Sequence, residues 1–548
     1  MDYFRLKKKM LMSITHKIKG FVRRASGAPT VALNDCAGGD WLDLDVSGNS
    51  LQNGIPTPDA PIEIQSVGEK SVNLATAYDV CKDFDYYTKV IEDGRNCVRY
   101  LDSNTTKANP FGFKENTQYT VSFDCKLEKG QFGNDTTTPM SYTMVFHYSD
   151  GTIGTVSSND GIALSVRGVW QRKTMTSRAG KTVLGIGTRT YQYQNYNYID
   201  VDTFQVQEGA TAAPYEPYGK YKVPVVMRGK NLVKDIREIY KEAHLYEEII
   251  EDNRECIRFS TTNSIKYSDI QFKENTQYTF SFDSKCVKRP NMPQYPKQDY
   301  ALVIFYTDDT RSIILSCDYD RFDTWTHRVL TSAANKTISS IGMYTHQYVT
   351  YNYIDINTFQ IVEGTIDEPY EPYVEPITTN IFLDEPLHKL VGTVESYLGT
   401  YADYINFKNK KLCRHIRKKV FDGTEKWRYE SNEHRYYPQD NSVTRKWIRG
   451  YGLSNLYPND FYATDMRFFI SGENIQLNIR DSHYTDAESF KNSLKDNNLI
   501  VYYAEAEPTE EPLDIDLPQL PAQTVIVEIG ASLAPTHVEV EYYSNVKG

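Results

Sequence analysis

Much of what would mark an enzyme, a nucleic-acid binder or a membrane protein is missing from this 548-residue chain. No apolar run reaches the ~18–20 residues that a helix needs to cross a bilayer. No GxSxG, HExxH, P-loop or GxGxxG pattern occurs, so the short motifs of acyl-transfer, zinc-protease and nucleotide sites are absent. The eight cysteines (36, 81, 97, 125, 256, 286, 317 and 413) include no CxxC pair, which argues against a zinc site. The ten histidines do not cluster; His16 lies in a basic tail and His483 precedes a helix start. Net charge is −11, whereas general nucleic-acid binding needs a basic surface that displaces counterions. The 72 Asp and Glu residues offer many carboxylate pairs, but nothing distinguishes one as the pair of a glycosidase. The chain is expected not to be an enzyme and to insert into no membrane.

What the chain has in excess is tyrosine, at 43 residues. Tyrosine fits pleated strands and offers an apolar ring with a polar tip. With 40% apolar and 24% charged residues and few Leu-rich runs, the composition points to a globular β-protein. The length allows three or four domains.

The chain also repeats itself. IEDGRNCVRY (91–100), FKENTQYTVSFD (113–124), VFHYSDGT (145–152), VWQR (169–172) and YNYIDVDTFQVQEG (196–209) lead to APYEPY. IEDNRECIRF (250–259), FKENTQYTFSFD (272–283), VIFYTDDT (303–310), TWTHR (324–328) and YNYIDINTFQIVEG (351–364) lead to EPYEPY. The order is the same throughout, so a unit of domain size is duplicated. TQYTVSFD and TQYTFSFD alternate apolar and polar residues as half-buried strands do. In IDVDTFQVQ the apolar parity switches, which predicts a β-bulge. Regular strands with turns between them predict antiparallel sandwiches. Proline cannot donate to a sheet ladder, so PYEPY reads as a stiff exit closing each copy. Cys97 and Cys256 take matching places inside strands and read as reduced, buried small hydrophobes.

Outside the repeat, residues 1–27 carry eight Lys/Arg in the first 24, and Phe4, Leu11, Ile14, Ile18 and Phe21 at helical spacing. They read as a docking or oligomerising helix, with a frayed tail or a membrane-surface helix as the alternatives. The expected order is then a small β segment (28–69), sandwich 1 (70–222), sandwich 2 (223–376), a third sandwich-like domain (377–511) and a terminal β-hairpin (512–548). In the third domain Thr485 and Glu488 form a capping-box signal for a short helix through about Lys495.

At VSGNSLQNGIPTPDAPIEIQSVGEKSVNL (46–74) the sequence resembles a segment of tail, baseplate and fibre proteins of bacteriophages and prophages of Gram-positive bacteria. There it precedes a GKNL-type opening, here SVNL (71–74) and GKNL (229–232). Each repeat then resembles the carbohydrate-binding-module-like jelly roll of those proteins, with a Trp-x-Arg or Trp-x-x-Arg element and the FQ[VI]xEG…YEPY ending. EPLHKLVGTVESYLGTYADYINFKNKKLCRHI (385–416) and NLIVYYAEAEPTEEPL (498–513) are similar to the opening and close of a further domain found there. Two departures stand out: unit one lacks the usual Gly-Lys before Asn73, and the third domain has Lys-Lys where Gly is common.

The resemblance implies an all-β chain of tandem jelly-roll modules in a virion tail, assembled in the bacterial cytoplasm. It implies trimers, other tail or baseplate proteins as neighbours, and a host cell-surface glycan as target. The glycan-binding candidates are Tyr191, Gln192, Tyr193 and Asn195 in unit one, and Tyr344, His346, Gln347 and Tyr348 in unit two, because exposed rings stack on sugars while amides bond hydroxyls. The alternative is that these faces pack on a partner sheet or subunit. Trp427 and Trp447 are further candidates, with core packing as their alternative. Trp170 and Trp325 read as structural anchors, with Arg172 and Arg328 over a ring or against a carboxylate. Jelly-roll carbohydrate modules sometimes hold structural calcium; Asp200, Asp202 and Asp355 are its candidates, beside Asn357, and no other cofactor or metal is expected. The competing functions are a purely architectural virion component, a glycan depolymerase and a bacterial surface adhesin.

Overall fold

The computed structural model describes residues 30–543, apart from 34–40, 102–107, 110–111, 130–139, 155–160, 164–165, 190–194, 242–243, 261–264, 291–298, 318–321, 344–349, 393–398, 440–446, 461, 472–476, 516–524, 531–532 and 534–536. The helix expected in 1–27 lies outside that set. The described residues are mainly antiparallel strands with three short α-helices, so the chain is all-β. It divides into two compact units: Glu69–Lys222 with Phe382–Glu385, and the remainder.

The first unit is one sandwich. Its larger sheet is ordered Gln171–Thr176, Tyr119–Lys129, Asn195–Asp200, Arg95–Leu101, Thr88–Glu92, with Gln205–Glu208 also on Tyr119–Lys129. The second sheet is built around Met140–Tyr148 and Val183–Arg189. YTVSFDCKLEK (119–129) alternates as its sequence requires: Tyr119, Val121, Phe123, Cys125 and Leu127 enter the core. There they meet Met144, Phe146 and Ile186 of the other sheet. Thr120, Ser122, Asp124, Lys126 and Glu128 take the outer face.

Within the second unit the other repeat folds the same way. Thr326–Thr331, Tyr278–Lys288, Thr350–Asp355, Arg254–Ser260 and His244–Glu251 match the larger sheet strand for strand. The parity switch proves to be a single 3₁₀ turn rather than a bulge: Val201–Thr203 and Ile356–Thr358. Asp200 and Asp355 cap these turns through Asp202 N (3.1 Å) and Asn357 N (3.0 Å). An Asx turn ends each strand and restarts it on the opposite parity. Two short helices that the sequence reading did not anticipate, Ala77–Cys81 and Ile236–Tyr240, follow SVNL and GKNL and are capped by Thr76 and Asp235.

The opening Asn of each module is bonded to its close. Asn73 is buried; its Nδ2 donates to Phe204 O (2.9 Å) and Glu216 O (3.2 Å), and its Oδ1 accepts from Ala75 N and Val206 N. Asn231 repeats all four bonds with Phe359 O, Glu371 O, Val233 N and Ile361 N. The buried residue of PYEPY is its glutamate: Glu216 accepts from Val72 N and Lys222, and Glu371 pairs with Lys230 at 2.9 Å.

The third domain lies in the second unit. One sheet is ordered Trp447–Ser454, Leu499–Pro512, Lys411–Phe421, Tyr404–Asn406, Trp41–Ser47, His537–Tyr543; the other is Trp427–Glu430, Arg435–Pro438, Leu477–Arg480, Arg467–Ile470. The helix Ala487–Asp496 closes its core with Phe490 and Leu494. Its cap is Asp486, accepting from Glu488 N and Ser489 N, one residue later than expected. The terminal hairpin is overturned. His537–Tyr543 pairs with Trp41–Ser47, and Val525–Ile529 pairs with Thr30–Leu33 and with 225–229. Both strands have β patterning, and patterning sets which face is buried, not which strand is the neighbour. Asp403 of YADYI holds this domain's opening together. It is fully buried and accepts from Arg414 Nη1 (3.1 Å) and from the backbone N–H of His388 (3.1 Å), His415 (2.9 Å) and Ile416 (2.9 Å).

Candidate functional site: the outer face of the twin sandwiches

On each module's larger sheet the outward side chains form the same strip. Trp170 Nε1 donates to Asp93 Oδ2 (2.9 Å), and Trp325 Nε1 to Asp252 Oδ2 (3.0 Å). The Arg95 guanidinium lies 4.6 Å over the Trp170 ring and Arg254 4.7 Å over Trp325. Arg95 also bonds Asp124 (3.1 Å) and Asp200 (2.9 Å); Arg254 bonds Asp283 (2.7 Å) and Asp355 (3.0 Å). Beside them Lys126 reaches Glu92 and Asp93, and Lys285 reaches Glu251 and Asp252. Further along the strip, Arg99 lies 4.8 Å over Tyr196 and Arg258 4.9 Å over Tyr351.

The electrostatics follow from this pairing. Burial alone would lower the Lys126 ammonium, but its bonds to Asp93 and Glu92 outweigh that and raise it; Lys285 behaves alike. Asp93 and Asp252 are held below the usual carboxylate range by the bonds from Lys126 and Lys285, then by the indole N–H groups. The strip's cations and carboxylates therefore hold one another in place, with partly exposed tryptophan and tyrosine rings between them.

The anticipated residues meet different outcomes. Tyr191, Gln192, Tyr193, Tyr344, His346, Gln347 and Tyr348 lie outside the described residues; in sequence they run into Asn195–Asp200 and Thr350–Asp355, the strands carrying Tyr196 and Tyr351. Asn195 is buried and accepts from Arg167 Nη2 at 2.5 Å. Trp170 and Trp325 occupy the strip. Trp427 and Trp447 are corrected: Trp447 is fully buried and stacked 3.9 Å from Tyr503, and Trp427 packs on Phe421 and Phe490. Neither ring is free to meet a sugar. Asp200 and Asp355 spend their carboxylates on Arg95 and Arg254 and on the Asx turns, while Asp202 accepts from Asn96 (3.1 Å). No group of three or more metal-ligating side chains exists among the described residues.

Strand register also changes one correspondence. Arg172 faces Asp124, and the residue facing Asp283 is His327, not Arg328. Arg172 reaches Ser122 Oγ and Thr203 O, both at 3.0 Å. Arg328 instead reaches Ser284 Oγ at 3.3 Å. In the second repeat His327 borders a cleft of about 300 Å³, which Ser281, Asp283, Gln360, Glu368 and Tyr370 also line. His327 bonds Asp283 (2.8 Å) and Asp367 (3.1 Å). Burial lowers its pKa, but the two carboxylates outweigh burial and raise it. A raised folded value means the contribution is present at acid pH and is lost as pH climbs through that value. NMR titration should place His327 above 6.5, its ordinary value. Amide exchange at 367–370, corrected for intrinsic rate, should then rise above that pH. A His327 pKa at or below the ordinary value would remove this prediction.

Residues such as Arg95, Lys126, Asp93 and Tyr196 were missed, although each is identical in the second repeat. Pairing the charged identities of IEDGRNCVR with IEDNRECIR, and of SFDCK with SFDSK, was the available signal.

No family model matches the chain, and no curated protein sequence matches it. Among solved structures, it is similar to the N-terminal CBM22-1-CBM22-2 tandem domain of Paenibacillus barcinonensis Xyn10C (11% identity, 54% of this chain, 99% of that one, TM-score 0.23). It is also similar to the tripod (BppUct-A-L) from the baseplate of bacteriophage Tuc2009 (14% identity, 54% of this chain, 98% of that one, TM-score 0.16). At these scores neither likeness carries an argument about function.

Proposed function

We propose that this chain is a non-enzymatic structural protein of a phage tail, baseplate or fibre that attaches to host cell-surface glycan through its twin sandwich modules. The observation that carries the reading is the duplicated outer strip. Partly exposed Trp170/Trp325 and Tyr196/Tyr351 rings are set among guanidinium, ammonium and carboxylate groups held in place by one another. Rings suit the apolar faces of sugars, and fixed polar neighbours suit their hydroxyls at little ordering cost. The non-enzymatic reading draws support from the same pairing: Asp93, Asp124 and Asp200 each accept from a cation. The phage assignment draws on the segment at 46–74 and the GKNL, YEPY and YADYI motifs. In a homotrimer, six weak strips would act together, so avidity supplies what one contact lacks.

The test is a double replacement, Tyr196→Ala with Tyr351→Ala, in the full chain. Base–ring stacking on alanine replacement is worth ~1–3 kcal/mol; sugar stacking of similar size predicts a loss of adsorption to host cells of roughly tenfold or more, with folding intact. Unchanged adsorption would reject the strip as the binding surface. Failed particle assembly with normal adsorption would transfer it to the architectural reading.

A further inference from the structure

The third domain's four-stranded sheet places three arginines side by side. Arg435 faces Arg480 across one strand pair, and Arg480 faces Arg467 across the next. Alternation sends their neighbours Tyr436, Ile479 and Phe468 into the core, so all three guanidinium groups share the opposite face. Like charges directly opposite one another destabilise a sheet. Two are compensated: Arg435 pairs with Glu430, and Arg480 pairs with Glu433 at 2.6 Å. Arg467 has no carboxylate partner among the described residues. Its Nη1 donates to Asp460 O (2.8 Å), its guanidinium lies 4.8 Å over Phe469, and it is 4% exposed. Asp460 Oδ1 accepts from Tyr462 N and Ala463 N rather than from Arg467. The buried Nε atoms of Arg435, Arg467 and Arg480 all lack partners. Burial, and then Arg480, lower the Arg467 pKa, and the more distant charges of Asp460 and Glu433 offset this only in part.

We infer that this arginine ladder is an oxyanion-binding site, which takes a phosphate or carboxylate group. An oxyanion would give Arg467 the hydrogen-bonded anionic acceptor that it lacks among the described residues, matched to the planar fork of the guanidinium. The ladder shares no residue with the twin strips, so it stands or falls apart from them.

The experiment is calorimetric titration of the full chain at low ionic strength with inorganic phosphate and, separately, with glucuronate. Saturable binding of either supports the site, and the preferred anion tells phosphate from carboxylate sources. Arg467→Gln should weaken that binding about 10- to 100-fold, the value of a charge-assisted hydrogen bond. Arg467→Lys, which keeps the charge but loses the fork, should fall between. If Arg467→Gln does not fold, Arg435→Gln, at a more exposed rung, should also weaken binding. The proposal is overturned if neither anion binds, if a foldable variant binds like the parent, or if only a poly-glutamate peptide binds.

Discussion

Replacing Asn73 or Asn231 by Ala is expected to cost about 3–5 kcal/mol, because buried donors and acceptors lose partners that water cannot replace. Each side chain satisfies two carbonyls and two N–H groups that join a module's opening to its last strand and to PYEPY. In a unit the size of Glu69–Lys222 that loss should move the melting midpoint by on the order of 10 °C. Calorimetry of the full-length Asn73→Ala protein would show it, and a shift below about 2 °C would refute the role. Asn→Asp is expected to do no better, since a carboxylate cannot donate to Phe204 O and Glu216 O.

Asp403→Ala should be equally severe, about 3–5 kcal/mol, because it removes the buried carboxylate that the buried Arg414 guanidinium faces at 3.1 Å. The N–H groups of His388, His415 and Ile416 lose their acceptor as well. The diagnostic is a second change. Asp403→Ala with Arg414→Met should be more stable than Asp403→Ala alone, since the buried cation that lost its carboxylate is removed with it. Denaturant midpoints measure both, and a double variant no better than the single would discard the explanation.

These two sites show why some motifs were legible. GKNL, YEPY and YADYI stand out in the sequence as phrases, and the structure gives each a buried polar residue: Asn231, Glu371 and Asp403. Such a residue must match several backbone groups at once, so few alternatives serve. The core strands were legible for a simpler reason. A sheet with one face buried imposes a period of two, and YTVSFDCKLEK displays it along its length.

Other features were not legible because they depend on partners distant in the chain. HVEVEYY and VIVEI both look like strands, yet nothing local says that the first meets Trp41–Ser47 and the second meets Thr30–Leu33. KWRYE and RKWIRGYG look like exposed aromatic-cationic stretches; only packing against Phe421, Phe490 and Tyr503 places both indoles inside. TWTHR offered Arg328 as the mate of Arg172, and strand register gave that place to His327.

By itself, then, the sequence determined the duplication, the all-β class, the burial parity of the core strands and the helix near residue 490, since periodicity and capping are local properties. Tertiary structure alone decided which strands are neighbours, which tryptophans face solvent, and which charges stand together. Strand pairing joins residues hundreds of positions apart, and the energy of a charge or a ring depends on what that pairing brings against it.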